Sequence, residues 1–153
     1  MKNLKIWSLA LMLLVALTGC QEKEGVDTFV PGNINQIVNE WQLVEEAGQA
    51  VTFDVYVDFN EDNTFDMYER SFSYEYVYRS GNYTVSGNQL TGTYSDGSDW
   101  NNSYRAEVSA DGKTLRLHTT DGTMSVYVQK AIPEFVKESA IEASASRANG
   151  YFL

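Results

Sequence analysis

Val51, Phe53, Val55, Val57 and Phe59 alternate without a break with Thr52, Asp54, Tyr56 and Asp58. A period of two puts the apolar set on one side of an extended chain and the polar set on the other, so residues 51–59 predict a half-buried β-strand. Turn chemistry then recurs at short intervals, at Asn60-Glu61-Asp62-Asn63, Ser86-Gly87-Asn88, Asp111-Gly112 and Asp121-Gly122. Asn, Asp and Gly tolerate the positive φ angles that tight hairpins need. The segments between them predict eight strands, at 41–46, 51–59, 64–70, 73–86, 89–95, 103–109, 114–119 and 123–130. The fourth is long and is expected to kink near Ser80-Gly81, because an isolated Gly in a strand often marks a bulge or a barrel bend. Every connection is short enough for neighbours to pair antiparallel, and closing the eight strands removes both exposed edges. The fold class predicted is therefore all-β, an eight-stranded antiparallel up-and-down barrel.

Helical spacing appears only at the two ends of this stretch. Asn33 is placed to cap a brief helix through Val38, with Ile34, Ile37 and Val38 on one face. After Lys130, Pro133 suits a first helical turn, and Ile132, Phe135, Val136, Ala140 and Ala143 form a stripe near period 3.6. This second helix is expected to pack outside the barrel. The pattern divides the chain into residues 1–19, a polar tether at 20–33, the barrel at 34–130, and a C-terminal helix and tail at 131–153.

The first segment reads as an address. Lys2 and Lys5 precede an apolar run from Ile6 to Leu17. As a helix this run would reach about 18 Å, short of the roughly 30 Å hydrocarbon core of a bilayer, which fits a signal sequence and not a membrane span. Leu17-Thr18-Gly19-Cys20, ending in the only Cys of the chain, resembles the lipobox of bacterial lipoproteins. The resemblance implies cleavage before Cys20, a diacylglyceryl thioether on its sulfur, and acylation of its new amino group with a fatty acid such as palmitate. Two or three acyl chains meet the requirement for stable anchoring to a membrane. Gln21 in place of the Asp of an inner-membrane retention signal points to the outer membrane. Glu22-Lys23-Glu24 resembles signals that carry some Gram-negative lipoproteins to the cell surface, so the domain would face the periplasm or the exterior.

The chain has 21 Asp and Glu against 11 Lys and Arg, and loss of Lys2 and Lys5 with residues 1–19 would leave a formal charge of -12. Such a surface repels phosphate backbones and the sequence has no basic stripe, so no nucleic-acid partner is expected. With Cys20 consumed by lipid, the mature chain has no cysteine for a disulfide, a zinc–thiolate site or a nucleophile.

Ile37-Val38-Asn39-Glu40-Trp41-Gln42-Leu43, Val57 to Phe65, Gly81 to Leu90, and Ser109 to Leu115 together resemble the small lipocalin-like domain of many lipoproteins of Gram-negative anaerobes, over about residues 34–130. The family usually has Gly two residues before the Trp, where this chain has Asn39. In lipocalins that Trp plugs the closed end of the barrel beneath a basic side chain from a late strand. The resemblance implies that role for Trp41, with Lys130 or Arg116 as its cover.

If the first strand runs away from the tether, the connections at 47–50, 71–72, 96–102 and 120–122 lie together at the far rim, and the mouth faces away from the membrane. Trp100 sits in the longest of these loops, where it would either cover a pocket or pack on the rim. Phe72, Tyr74, Tyr76 and Tyr78 would share one face of the fourth strand. Three readings stay open for that strip: an aromatic ligand cavity, a packed core, or an outer face beneath the C-terminal helix. An eight-stranded barrel is only just wide enough for its own side chains or one small molecule. Phe53, Val55, Tyr74, Tyr76 and Trp100 are the candidate ligand-binding residues, by face and position.

Asp58, Asn60, Asp62, Thr64, Asp66 and Glu69 fall at the ligand positions of an EF-hand-like loop, which makes calcium a candidate. Asn63 stands where the sharp-turn Gly belongs, and the flanks read as strands, so an acidic hairpin is the competing reading. His118, the only histidine, alternates with Leu115 and Leu117 and is expected to face outward. Neither a nucleophile elbow nor a pair of carboxylates across a cleft appears, since Glu45 and Glu46 point to opposite faces. The sequence therefore predicts a protein that is not an enzyme and needs no cofactor. It is read as a membrane-anchored lipoprotein whose barrel binds a small hydrophobic or aromatic ligand. The alternative is an interaction module with a filled barrel, whose partner is another envelope protein.

Overall fold

The computed structural model describes residues 28–31, 34–71, 73–143 and 153 of the chain. The segment read as a signal sequence, Cys20 and most of the expected tether lie outside the described residues. The elements are β1 (Phe29–Pro31), α1 (Ile34–Ile37), β2 (Asn39–Glu46), β3 (Gln49–Ala50), β4 (Asp54–Phe59), β5 (Thr64–Arg70), β6 (Val77–Ser86), β7 (Gln89–Tyr94), β8 (Tyr104–Ser109), β9 (Thr114–His118), β10 (Met124–Gln129), α2 (Glu134–Ser139) and β11 (Ile141–Glu142).

β2 and β4 to β10 pair with their sequence neighbours as an antiparallel meander, and β10 returns to pair with β2, so the sheet closes into the eight-stranded barrel the alternation predicts. The turns have the expected chemistry. Asp62, Asp96, Asp111 and Asp121 each accept the backbone N–H two residues on, from Thr64, Ser98, Lys113 and Thr123, at 2.9–3.0 Å. The residue between them is Asn63 at φ 67° or a Gly at φ 73–92°, where a left-handed backbone lets the carboxylate fold over the turn.

Two strands are shorter than the period predicted. Residues 51–53 and 73–76 leave the extended conformation, so β4 starts at Asp54 and β6 at Val77. β6 does not bulge at Gly81, because its register with β5 and β7 runs unbroken through that residue. The glycine serves a close approach instead: a Cβ there would lie 2.1 Å from the carbonyl oxygen of Thr93. The register shift falls between Val126 and Tyr127 of β10.

The seam between β7 and β8 departs most from a regular barrel. Those strands share only the pairs Gln89↔Arg105 and Leu90↔Tyr104. Below them, at the end where β2 begins, β1 takes the vacant edge of β8 through Val30↔Val108. Above them the β7–β8 loop doubles back along β7, with Tyr94 N–H donating to Ser98 O at 2.7 Å and Trp100 N–H donating to Gly92 O at 2.9 Å.

Apolar side chains fill both sides of the wall. Inside, Trp41, Leu43, Val55, Val57, Phe59, Phe65, Leu115, Leu117 and Tyr127 belong to one buried cluster. Outside, Tyr56, Tyr68 and Tyr76 are covered by Ile132 and Val136 of the α2 region, so the second helix packs where its stripe predicted. α2 is held by Glu40, whose carboxylate accepts from Ile132 N–H at 2.9 Å and from Lys137 Nζ at 2.6 Å. β11 then adds a short parallel pairing to the start of β6.

Hydroxyl hydrogen bonds first, and backbone amides second, hold the four turn carboxyls below the usual carboxylate range. A depressed folded value means that these bonds stabilise the fold above the unfolded Asp value of 3.8 and are lost as pH falls through the lower folded values. Asp58 and Glu69 run the other way. Burial raises both, with the Glu40 charge adding at Asp58 and Arg79 opposing at Glu69, so the fold gains as they protonate in mild acid. The urea midpoint is expected to hold or rise from neutral pH to about pH 5 and to fall below about pH 4. A midpoint that stays level through that acid range would remove the turn carboxylates as a source of stability.

Candidate functional site

The rim sought by counting strands exists, but its residues are not where the alternation put them. Val55 is fully buried in the interior, and Phe53 is half-buried against the same cluster. Tyr74 is fully exposed, outside the barrel. Tyr76 is buried in the outer layer against Ile132, Val136 and the edge of Phe135. Because β6 begins only at Val77, the chain at residues 73–76 bends, and Tyr74 and Tyr76 share no strand face with Tyr78. Neither tyrosine lines an interior pocket, and the outer-face reading holds for Tyr76 and Tyr78. Their hydroxyls donate to Asp54 at 2.8 Å and to Asp66 at 2.5 Å. Burial, with the Asp54 bond next, pushes the Tyr76 hydroxyl up to about 12. Phe72 lies outside the described residues.

Trp100 is neither lid nor rim residue. Its indole passes through the β7–β8 seam into the interior and meets Phe65 edge-on at 5.2 Å, Tyr104 at 6.2 Å and Phe59 at 6.4 Å between ring centroids. The approach depends on Gly92, where a Cβ would lie 2.3 Å from the indole Cε2. Trp100 Nε1 is buried and has no hydrogen-bond acceptor among the described residues. Leu153 enters the same cluster, with its carbonyl oxygen accepting from Tyr94 OH at 3.1 Å and from Asn101 N–H at 3.4 Å.

At the opposite end Trp41 is fully buried and donates from Nε1 to Ile37 O at 2.8 Å, so α1 lies over it. Neither of the two basic candidates covers it. Lys130 is exposed on the outer wall, donating to Gln42 Oε1 at 2.6 Å. Arg116 stacks on Phe29 at 3.6 Å from its ring centroid, because its neighbours Leu115 and Leu117 take the inward positions. His118 faces outward as expected and meets Glu107 at 3.2 Å.

The EF-hand-like set does not converge. Asp62 closes its own turn with Thr64, and Asn60 Nδ2 donates to Thr64 Oγ1 and Asp66 Oδ2 at 3.1 Å each. Asp58 and Asp66 face each other across β4 and β5 on the outer wall. Glu69, an odd number of residues away, points inward and forms a buried ion pair with Arg79 at 3.3 Å. Among the described residues no cluster of acidic, His or Cys side chains is arranged to hold a metal ion. The period of two, which places positions 1 and 12 of such a loop on opposite faces, accounts for the outcome.

Open space lies beside the plugged seam. A groove of about 430 Å3 runs over the outer faces of Asn82 and Thr84 of β6 and Thr91 and Thr93 of β7, and ends against the loop from Asp99 to Ser103, with Trp100 in its wall. Asn82↔Thr93 and Thr84↔Thr91 are cross-strand pairs. Asp99 Oδ1 accepts from Thr93 Oγ1 at 3.1 Å, which ties the loop to β7. Sequence reasoning missed these residues. The available signal was the run of small polar side chains alternating with Tyr83, Leu90 and Gly92.

A filled eight-stranded meander with a Trp at its closed end and a helix laid on its outer wall defines a small lipocalin-like protein. A sequence profile of the lipocalin-like domain matches residues 37–117, more than half of the chain, and the chain belongs to that family. A lipocalin-like protein from Bacteroides uniformis superposes with a TM-score of 0.51 at 17% identity, covering 62% of this chain and 99% of its own. Another protein from Bacteroides uniformis, solved by NMR, gives a TM-score of 0.50 at 21% identity and covers 70% and 97%. At these identities the likeness is one of fold. No curated protein matches the sequence.

Gly92→Ala puts a methyl group inside the indole of Trp100, and overpacking of this kind costs about 1–3 kcal/mol. The variant is expected to have a lower urea midpoint and a red-shifted tryptophan emission as the indole is driven outward. Unchanged stability and emission would show that Trp100 does not rest on this backbone.

Proposed function

We propose that the protein is a membrane-anchored, non-catalytic binding lipoprotein in which the filled barrel is a rigid scaffold and the groove beside the β7–β8 loop takes a small ligand. The observation that carries this reading is the contrast at the seam: Trp100 and Leu153 occupy the interior, while about 430 Å3 stands open on the outer side of the same strands. That volume lies within the range of small-molecule sites, about 300–1,000 Å3. The groove offers hydroxyls, amides and one carboxylate, with no His, Lys or Cys in its wall to activate a nucleophile.

The anchor rests on the lipobox-like sequence ending at Cys20, eight residues before Thr28. β1 starts at the end of the barrel opposite the β7–β8 loop, so a lipid on Cys20 would direct the groove away from an outer-membrane surface, toward the periplasm or the exterior. A second reading keeps the hydrophobic or aromatic ligand inside the barrel. Its support is Leu153, a core side chain that belongs to no strand and is held by two hydrogen bonds. An apolar molecule such as palmitate would have to displace it.

Amide NMR of the full chain in detergent separates the two. Small polar fragments are expected to shift Thr84, Thr91, Thr93 and Asn101, and palmitate to leave the interior residues Val55 and Leu90 unmoved. Shifts confined to the interior, and strengthened in Leu153→Ala, would replace the groove with the carrier reading. Mass spectrometry of protein extracted from native membranes is expected to find a diacylglyceryl group on Cys20, and an unmodified cysteine there would end the anchor proposal.

A further inference from the structure

We infer that the groove on β6 and β7 is a site for a neutral polyhydroxyl ligand, a mono- or disaccharide, an inference that rests on the groove being the binding site. The first observation is charge. The chain has 21 acidic and 11 basic residues, yet every side chain named in the groove except Asp99 is neutral. Asp99 is already engaged by the Thr93 hydroxyl at 3.1 Å. An anionic ligand would meet no Lys or Arg in the wall and would approach a molecule of formal charge -10. A cationic ligand would find a single carboxylate, one oxygen of which already accepts from Thr93.

Hydrogen-bonding capacity is the second observation. Asn82, Thr84, Thr91 and Thr93 stand on one face as two cross-strand pairs. Paired side chains on a sheet lie about 5 Å apart and successive ones on the same face about 7 Å. This is a fixed grid of groups that each donate and accept. The lining mixes these groups with threonine methyls and the Trp100 wall, so a purely apolar ligand would leave the hydroxyls and amides unpaired, whereas a sugar ring, with hydroxyls at its edge and C–H groups on its faces, matches both. A peptide added as an extra strand is excluded by the loop itself. Trp100 N–H to Gly92 O and the Thr93↔Asp99 bridge already use the backbone edge of β7. The volume of about 430 Å3 holds about one or two sugar rings.

The test is amide NMR of the full chain in detergent with glucose, galactose, mannose, N-acetylglucosamine, maltose and cellobiose, and with glucose 6-phosphate and glucuronate as charged counterparts. At least one neutral sugar is expected to shift Thr91, Thr93 and Asn101. Thr91→Val, which removes one exposed hydroxyl and keeps the β-branched shape, is expected to weaken it about tenfold. An unchanged melting temperature in Thr91→Val shows that the variant is folded. Equal or tighter binding of the charged sugars, shifts elsewhere on the barrel, or indifference to Thr91→Val would each overturn the inference. If polar fragments occupy the groove and no sugar does, the ligand class is wrong and the site stands. If nothing in either set moves these amides, site and ligand class fall together.

Discussion

The barrel closes across a seam that two residue pairs cannot hold, and the contact that seals it is the indole of Trp100 on the bare backbone of Gly92. Everything else about the interior depends on this. With the indole in place, Phe59, Phe65 and Tyr104 surround it edge-on, a geometry worth about 0.5–1.5 kcal/mol per pair beyond area burial. The loop that delivers Trp100 is thereby fixed as a stand-in strand beside β7, and its outward side chains form one wall of the groove. The same residue fills the inside and shapes the outside.

The wall works on both faces because tyrosine has two ends. Interior tyrosines such as Tyr83 and Tyr127 pack in the core, with Tyr83 OH donating to Asn60 O at 2.8 Å. Exterior ones lie flat beneath α2 and hand their hydroxyls to Asp54 and Asp66. Of the acidic residues that spelled out a cation loop in one dimension, Asp62 accepts from a turn amide and Asp66 from a tyrosine hydroxyl. Asp58 and Glu69 depart from that pattern, and of these Glu69 leaves the outer wall. It faces inward with Arg79 close to the rim, a buried pair with one carboxylate oxygen that has no hydrogen-bond donor among the described residues. Such a pair adds little net stability, since desolvation offsets most of the attraction.

With the interior packed, the proposed binding site lies on the outer wall. In a wide barrel the ligand site is the lumen and the loops are its gate. Here aromatic side chains and Leu153 pack in the lumen, and a groove on the outer wall, lined by described residues, is held by strand geometry. Family membership defines the scaffold, and the β7–β8 seam shapes the groove proposed as the binding site.

Alternating apolar positions and Asp-Gly or Asp-Asn turns determined by themselves that this chain makes eight antiparallel strands in order, with Leu115, Leu117, Val55 and Val57 inside and α2 outside. Those are local properties: a period of two and a left-handed turn residue act within a few positions of themselves. The ends of β4 and β6, the inward thrust of Trp100, the covering of Trp41 by α1, and the outer-wall positions of Lys130 and Arg116 were decided only in three dimensions. Each depends on what stands across the sheet: a missing Cβ at Gly92, a helix over a tyrosine layer, a vacant edge that β1 fills. The groove belongs to this second kind, because Asn82, Thr84, Thr91 and Thr93 are unremarkable polar positions until pairing sets them side by side and the folded-back loop gives them a wall.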